Sequence, residues 1–136
     1  ASARTAYCAY NAGTPPTNGE ILRQSGSGWA VAAFENRGTQ PVAVKLRDAA
    51  GATMLTLFLA PGGRAEVGGL PEGNYRPDFA VGELWSRACG RFAAGMRAQR
   101  MDRVYALDAM APLTVPPDPT AGPAAADLTD ALFEKD

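Results

Sequence analysis

The sequence predicts an all-β domain, an antiparallel β-sandwich or small barrel, with an irregular N-terminal arm and an extended Pro/Ala-rich C-terminal tail. Three observations carry this. Short apolar runs recur between Trp29 and Val81, with Gly- and Pro-rich turns between them, the spacing of roughly 8–12 residues that marks sandwiches and barrels. Several runs alternate with period two. From Ala111 the composition changes to "APLTVPPDPTAGPAAA", a linker-like stretch.

Residues 1–28 read as the arm. "NAGTPPTNGE" and "QSGSG" are rich in turn formers, so little regular structure is expected. Residues 29–110 read as the β domain. Trp29 to Glu35 places Trp29, Val31 and Ala33 on one face. Val42 to Arg47 alternates Val42, Val44 and Leu46 with Ala43, Lys45 and Arg47, as a half-buried strand does. Met54 to Leu59 is apolar on both faces and belongs in the middle of a sheet. Arg64 to Val67 turns Ala65 and Val67 inward. Tyr75 to Val81 lines up Tyr75, Pro77, Phe79 and Val81 on one side, with Pro77 marking an edge or a bulge. One short helix is expected around Arg87 to Arg97, and a last strand in "RMDRVYALD". Residues 111–136 read as the tail, ending in a short amphipathic helix with Leu128, Ala131 and Leu132 on one side.

Length and composition narrow the function. The chain has 136 residues, the size of one ordinary domain. Its net charge of −1 argues against non-specific nucleic-acid binding. Histidine is absent, which removes His-based nucleophile pairs and His-bearing zinc sites. Cys8 and Cys89 form no CxxC motif. They read either as buried reduced thiols or, the favoured reading, as a disulfide pinning the arm to the body in an oxidising compartment. No apolar run is long enough to cross a bilayer. The chain starts at Ala1 without a visible signal sequence, so a mature exported, periplasmic form is expected.

The stretch "LAPGGRAEVGGLPEGNYR", Leu59 to Arg76, could be a phosphate loop or a series of β turns. A Walker loop ends in Gly-Lys-Ser/Thr, and a dinucleotide fingerprint lies between a strand and a helix. Here the glycines fall at 62, 63, 68, 69 and 73, between β-type segments. Turns are therefore expected, and no cofactor or metal.

Several residues of this region carry a resemblance: Asn36, Val44–Lys45–Leu46, Asp48, Gly51, Gly62, Pro71–Gly73–Tyr75 and Gly82–Trp85. The pattern VKL…G…PxGxY…GxxW is similar to a small β domain of uncharacterised bacterial exported or membrane-associated proteins. It is distantly like prealbumin-type surface domains. The resemblance covers residues 34–92. It implies a β fold and no particular activity.

Three candidate sites follow. Tyr75 and Trp85, with Trp29, could stack a sugar ring if exposed, although aromatics on strands are more often core. Glu66, Glu72, Asp78 and Glu83 could supply a glycosidase-like carboxylate pair, but a solvated surface role is expected. The charge pattern says more. Arg87, Arg91, Arg97, Arg100 and Arg103 crowd one segment, residues 1–103 total +4, and residues 104–136 total −5. These arginines read either as a solvated surface or as a basic patch for an acidic segment. The tail, through Leu128, Leu132 and Phe133, reads as the other half of an interface, docking in cis or in trans. The functional expectation is a non-enzymatic structural or accessory subunit. It would bind protein partners in an exported assembly, peripheral to a membrane complex, with arm and tail as grips. On that expectation, removing residues 118–136 weakens assembly but barely lowers the melting temperature. A glycan-binding module is the alternative.

Overall fold

A computed structural model describes residues 3–117 and 125–135. The elements run α1 (Ala3–Tyr10), β1 (Ile21–Gln24), β2 (Ala30–Glu35), β3 (Val42–Arg47), β4 (Thr53–Leu59), β5 (Arg64–Leu70), β6 (Asn74–Ser86), β7 (Arg91–Met101), β8 (Tyr105–Ala106), β9 (Leu113–Thr114), β10 (Ala125–Leu128) and α2 (Asp130–Glu134). Among the described residues they form a seven-stranded sheet in the order β1-β4-β3-β6-β7-β10, with β8 also on β6, and a three-stranded sheet, β5-β2-β9. The strands of the large sheet pair antiparallel. The predominantly β fold and the pair of sheets are as the strand pattern predicts. No closed barrel forms among the described residues.

The core follows from the two-residue period of β3. Val42, Val44 and Leu46 point into the space between the sheets, where they meet Phe34 of β2, Leu55, Leu57 and Leu59 of β4, Leu70 of β5 and Phe79 of β6. The opposite parity is buried too: Ala43 joins a second cluster with Phe58, Ala80, Trp85, Phe92, Ala98 and Phe133. The large sheet is therefore covered on both faces, by the small sheet on one side and by the tail on the other. β3 is consequently buried throughout rather than half-buried.

Turn chemistry accounts for the middle of the chain. Gly62 (φ +72°) sits in the β4–β5 turn. Gly68 and Gly69 lie within β5, not in a turn. The register slips there, with Ala30 opposite Leu70 but Ala32 opposite Val67, and Gly69 takes φ +72°, a bulge that needs a residue without a Cβ. Gly82 marks a second bulge, between Val81 and Glu83. A Cβ there would lie 2.7 Å from the Cβ of Phe92. Pro77 is interior, paired with Leu46 of β3. On its other flank the pairing of β6 with β8 stops at Tyr75 and its pairing with β7 starts at Asp78, so the residue without an N–H falls in a gap of the ladder.

The structure corrects four further expectations. The arm is not irregular: it holds α1, and β1 extends the large sheet beside β4. The segment from Arg91 to Met101 is strand β7, not a helix, because its backbone pairs along β6 from Ser86 to Asp78. In β2 the residues of the main core are Ala32 and Phe34, and Trp29 lies just before the strand, 93% exposed. The described part of the tail folds back: β10 pairs with Ala98–Met101 of β7, and α2 lies on the large sheet. Residues 118–124, the centre of the predicted extended tail, lie outside the described residues.

Cys8 and Cys89 form a disulfide that closes a sequence separation of 81. A structural disulfide of this kind belongs to an oxidising, extracytoplasmic setting. Among the described residues no helix is long and apolar enough to cross a membrane.

Candidate functional site

The face of the large sheet beneath α2 concentrates the polar chemistry of the molecule. Strand register sets a row across it. Arg23 of β1 stands opposite Thr56 of β4, Thr56 opposite Lys45 of β3, Lys45 opposite Asp78 of β6, and Asp78 opposite Arg100 of β7. Lys45, Thr56 and Asp78 are buried.

Arg47, two residues along β3, ties this row to the tail. Its Nε donates to Asp78 Oδ2 at 3.0 Å and its Nη1 to Thr53 Oγ1 at 2.7 Å and to the carbonyl of Lys135. Its Nη2 donates to the carbonyls of Leu132 at 2.8 Å and Phe133 at 2.9 Å. All five guanidinium N–H groups thus find acceptors. The carbonyls left open at the end of a helix carry partial negative charge, so a buried cation there is electrostatically matched. Arg100 grips the same carboxylate in a fork, Nε to Oδ1 at 2.8 Å and Nη2 to Oδ2 at 3.0 Å. That hydrogen bond holds the Arg100 guanidinium more firmly protonated than usual. No buried side-chain N or O among the described residues lacks a partner.

Phe133 completes the contact. It is fully buried, in one apolar cluster with Ala43, Phe58, Ala80, Trp85, Phe92 and Ala98. The Lys45 ammonium lies 4.8 Å from its ring centroid, a cation–π geometry. Thr129 caps α2, its hydroxyl accepting from the Leu132 N–H at 3.2 Å.

The predicted interface residues separate into three groups. Arg87 is a clamp on the arm: its N–H bonds the Ala12 carbonyl, its Nε the Thr14 carbonyl, and its guanidinium pairs with Glu20 at 2.7 Å. Arg87 and the Thr17 N–H together hold the Glu20 carboxyl below its usual range. Arg91 receives the acidic segment of the tail, Asp130 at 3.1 Å and Glu134 at 3.8 Å, and Arg4 of α1 also pairs with Glu134. Of the five predicted arginines, Arg91 meets the acidic segment within the chain, while Arg100 binds Asp78; Phe133 is buried and Leu128 half-buried against the sheet. Arg97, Arg103 and Leu132 are exposed.

The stacking pair is corrected. Tyr75 and Trp85 are core residues. The Tyr75 hydroxyl donates to the Pro71 carbonyl at 2.7 Å, burial pushes its pKa up, and Trp85 packs edge-on to Phe92. They are not an exposed stacking pair. Asp78 is consumed by its two arginines, while Glu66, Glu72 and Glu83 are exposed. No cluster of metal-ligating residues occurs among the described residues.

Sequence reasoning missed Lys45, Arg47 and Thr56. The available signal was their shared parity with Asp78, which reads as a solvated face until a cover is found.

Comparison with known proteins finds no matching family model and no significant match to a curated protein or a solved structure. Some residues of the quoted β-domain pattern have identifiable structural tasks here. The Asn36 amide donates to the carbonyls of Gln40 at 2.8 Å and Ala60 at 3.1 Å and accepts from Gly38 N–H at 2.8 Å. Tyr75 locks the Pro71 turn, and Gly82 admits the Phe92 ring.

Proposed function

We propose that this chain is a non-enzymatic accessory subunit that binds another protein in an exported assembly, in the periplasm or at the periphery of an envelope complex. The observation that carries the reading is Trp29, 93% exposed and the most exposed of the described large hydrophobic residues. Tryptophan is the residue most enriched at the energetic centres of protein interfaces, and a disulfide-stapled body with a satisfied interior suits a rigid docking unit. Val31 of β2, two residues along, is also partly open to solvent. The tail is a brace of the fold in this proposal, and the partner-facing surface moves to the small sheet.

The test is the native size of the endogenous protein in an envelope extract, compared with the purified chain. The reading expects co-migration with a larger complex, lost in Trp29→Ala while the variant's melting temperature stays unchanged. An endogenous protein that runs at the size of the isolated chain, or a Trp29→Ala variant that assembles normally, contradicts it.

A further inference from the structure

Arg97 is a predicted interface residue that the tail does not use. It lies on β7 opposite Val81 of β6, and Gln99 lies opposite Phe79. Phe79 belongs to the core between the sheets and Val81 packs against it. Residues directly opposite across a sheet share a face, so Arg97 and Gln99 stand on the side that the small sheet covers elsewhere. At this corner the cover is incomplete. Arg97 is exposed, and a cavity of about 250 Å³ opens between the β2–β3 loop, Pro116 and these two strands. We propose that this cavity is a binding site for a short-chain carboxylic acid, its carboxylate held by the Arg97 guanidinium and its apolar end resting on Val81 and Pro116.

Charge decides the ligand class. Arg97 is the single charged residue among the described lining residues, and it makes no ion pair or hydrogen bond with a described residue. A guanidinium with open N–H donors takes a carboxylate through two parallel bonds. One cation balances one negative charge. A doubly charged phosphate would keep uncompensated charge close to Asp127, whose Oδ1 accepts from the lining residue Gln99 at 3.3 Å. The Thr39 hydroxyl and the Gln40 side-chain amide also line the space and make no hydrogen bond with a described residue. Both are donors available to the same carboxylate.

The rim is built in advance. Asn36, 1% exposed, fixes the β2–β3 loop, donating to the Gln40 carbonyl at 2.8 Å and accepting from the Gly38 N–H at 2.8 Å. Gly38 lets Pro116 close on the loop, since a Cβ there would lie 3.3 Å from the Pro116 Cδ. Walls set before the ligand arrives cost less ordering on binding. The volume lies just under the range of about 300–1,000 Å³ that holds drug-sized ligands, which restricts the occupant to a small acid. The proposal does not depend on the accessory-subunit reading.

The test titrates the full-length chain with butyrate, with its neutral amide butyramide, and with inorganic phosphate, followed by amide and arginine Nε–H chemical shifts. The proposal expects saturable shifts with butyrate at Gly38, Thr39 and Arg97, weakened at high ionic strength. Butyramide and phosphate should each bind at least about tenfold more weakly than butyrate, because one lacks the charge and the other carries too much. Arg97 is exposed, so Arg97→Gln is expected to fold normally and to lose about tenfold or more in affinity for butyrate. The butyrate–butyramide comparison reads the same charge on the natural chain without any substitution. No saturable shift with butyrate, equal binding of butyramide, phosphate bound as tightly as butyrate, or unchanged affinity in Arg97→Gln would overturn the proposal.

Discussion

Replacing Phe133 with alanine removes the one fully buried aromatic contributed by the tail. A buried Phe takes roughly 150–250 Å² out of water. Less the share that alanine keeps, and at about 25 cal/mol per Å², the loss is about 3 kcal/mol. The contact with the Lys45 ammonium adds about 2 kcal/mol at a desolvated site. The total, about 5 kcal/mol, falls at the top of the range of about 3–5 kcal/mol measured for Phe→Ala in cores. Urea unfolding followed by circular dichroism reads this as a lower midpoint at unchanged slope. Leu132, next along α2 and 48% exposed, is the internal control: Leu132→Ala should change stability by no more than about 0.5 kcal/mol. If Phe133→Ala costs under about 1 kcal/mol and matches Leu132→Ala, the tail is not part of the core. The same reasoning reverses the expectation that residues 118–136 are dispensable for stability. Removing them strips Phe133 from its cluster and leaves Arg47 and Arg91 without their partners on the tail.

Three other perturbations have defined outcomes. Asp78→Asn leaves Arg47 and Arg100 beside an uncharged group in a buried site and should destabilise by about 3–5 kcal/mol, whereas Arg100→Gln, at the half-open end, should cost less in the same unfolding assay. Reducing the disulfide, or replacing both Cys8 and Cys89 with serine, frees a loop of 81 residues. It should lower stability by about 4.5 kcal/mol in the chain-entropy model, read from melts with and without reductant. Tyr75 has its folded pKa raised above the ordinary value of 10.0 by burial and, secondarily, by Asp48. The native state therefore holds this proton where the unfolded chain releases it. The stability it confers is intact below pH 10 and falls as pH rises through the folded pKa, and Tyr75→Phe should flatten that alkaline decline.

The strands from Val42 to Val81 were legible because each shows either a two-residue alternation or, in Met54–Leu59, an unbroken apolar run, and turn residues separate them. The disulfide was legible from compartment logic. Three things were not. "SRACGRFAAGMRAQR" has helix-forming composition, yet Gly90 and Gly95 take positive φ and the backbone pairs with β6, so tertiary pairing overrides local propensity. α1 is one short helix held by Cys8, too brief to announce itself by periodicity. The burial of Lys45 and Arg47 depends on a helix some 85 residues downstream, and no local pattern reports a cover supplied from so far away. In the candidate site, the partnership of arginines with an acidic tail could be read from charge, but its cis geometry could not.

The central claim is that the tail is the third layer of its own domain. An isotope-filtered NOE experiment on a mixture of labelled and unlabelled chains tests it most directly, through contacts from the Phe133 ring to the methyls of Ala43, Ala80 and Ala98. The account predicts strong contacts in a uniformly labelled sample and none between labelled and unlabelled chains. Their absence from the first sample, or their appearance between chains in the second, would contradict it.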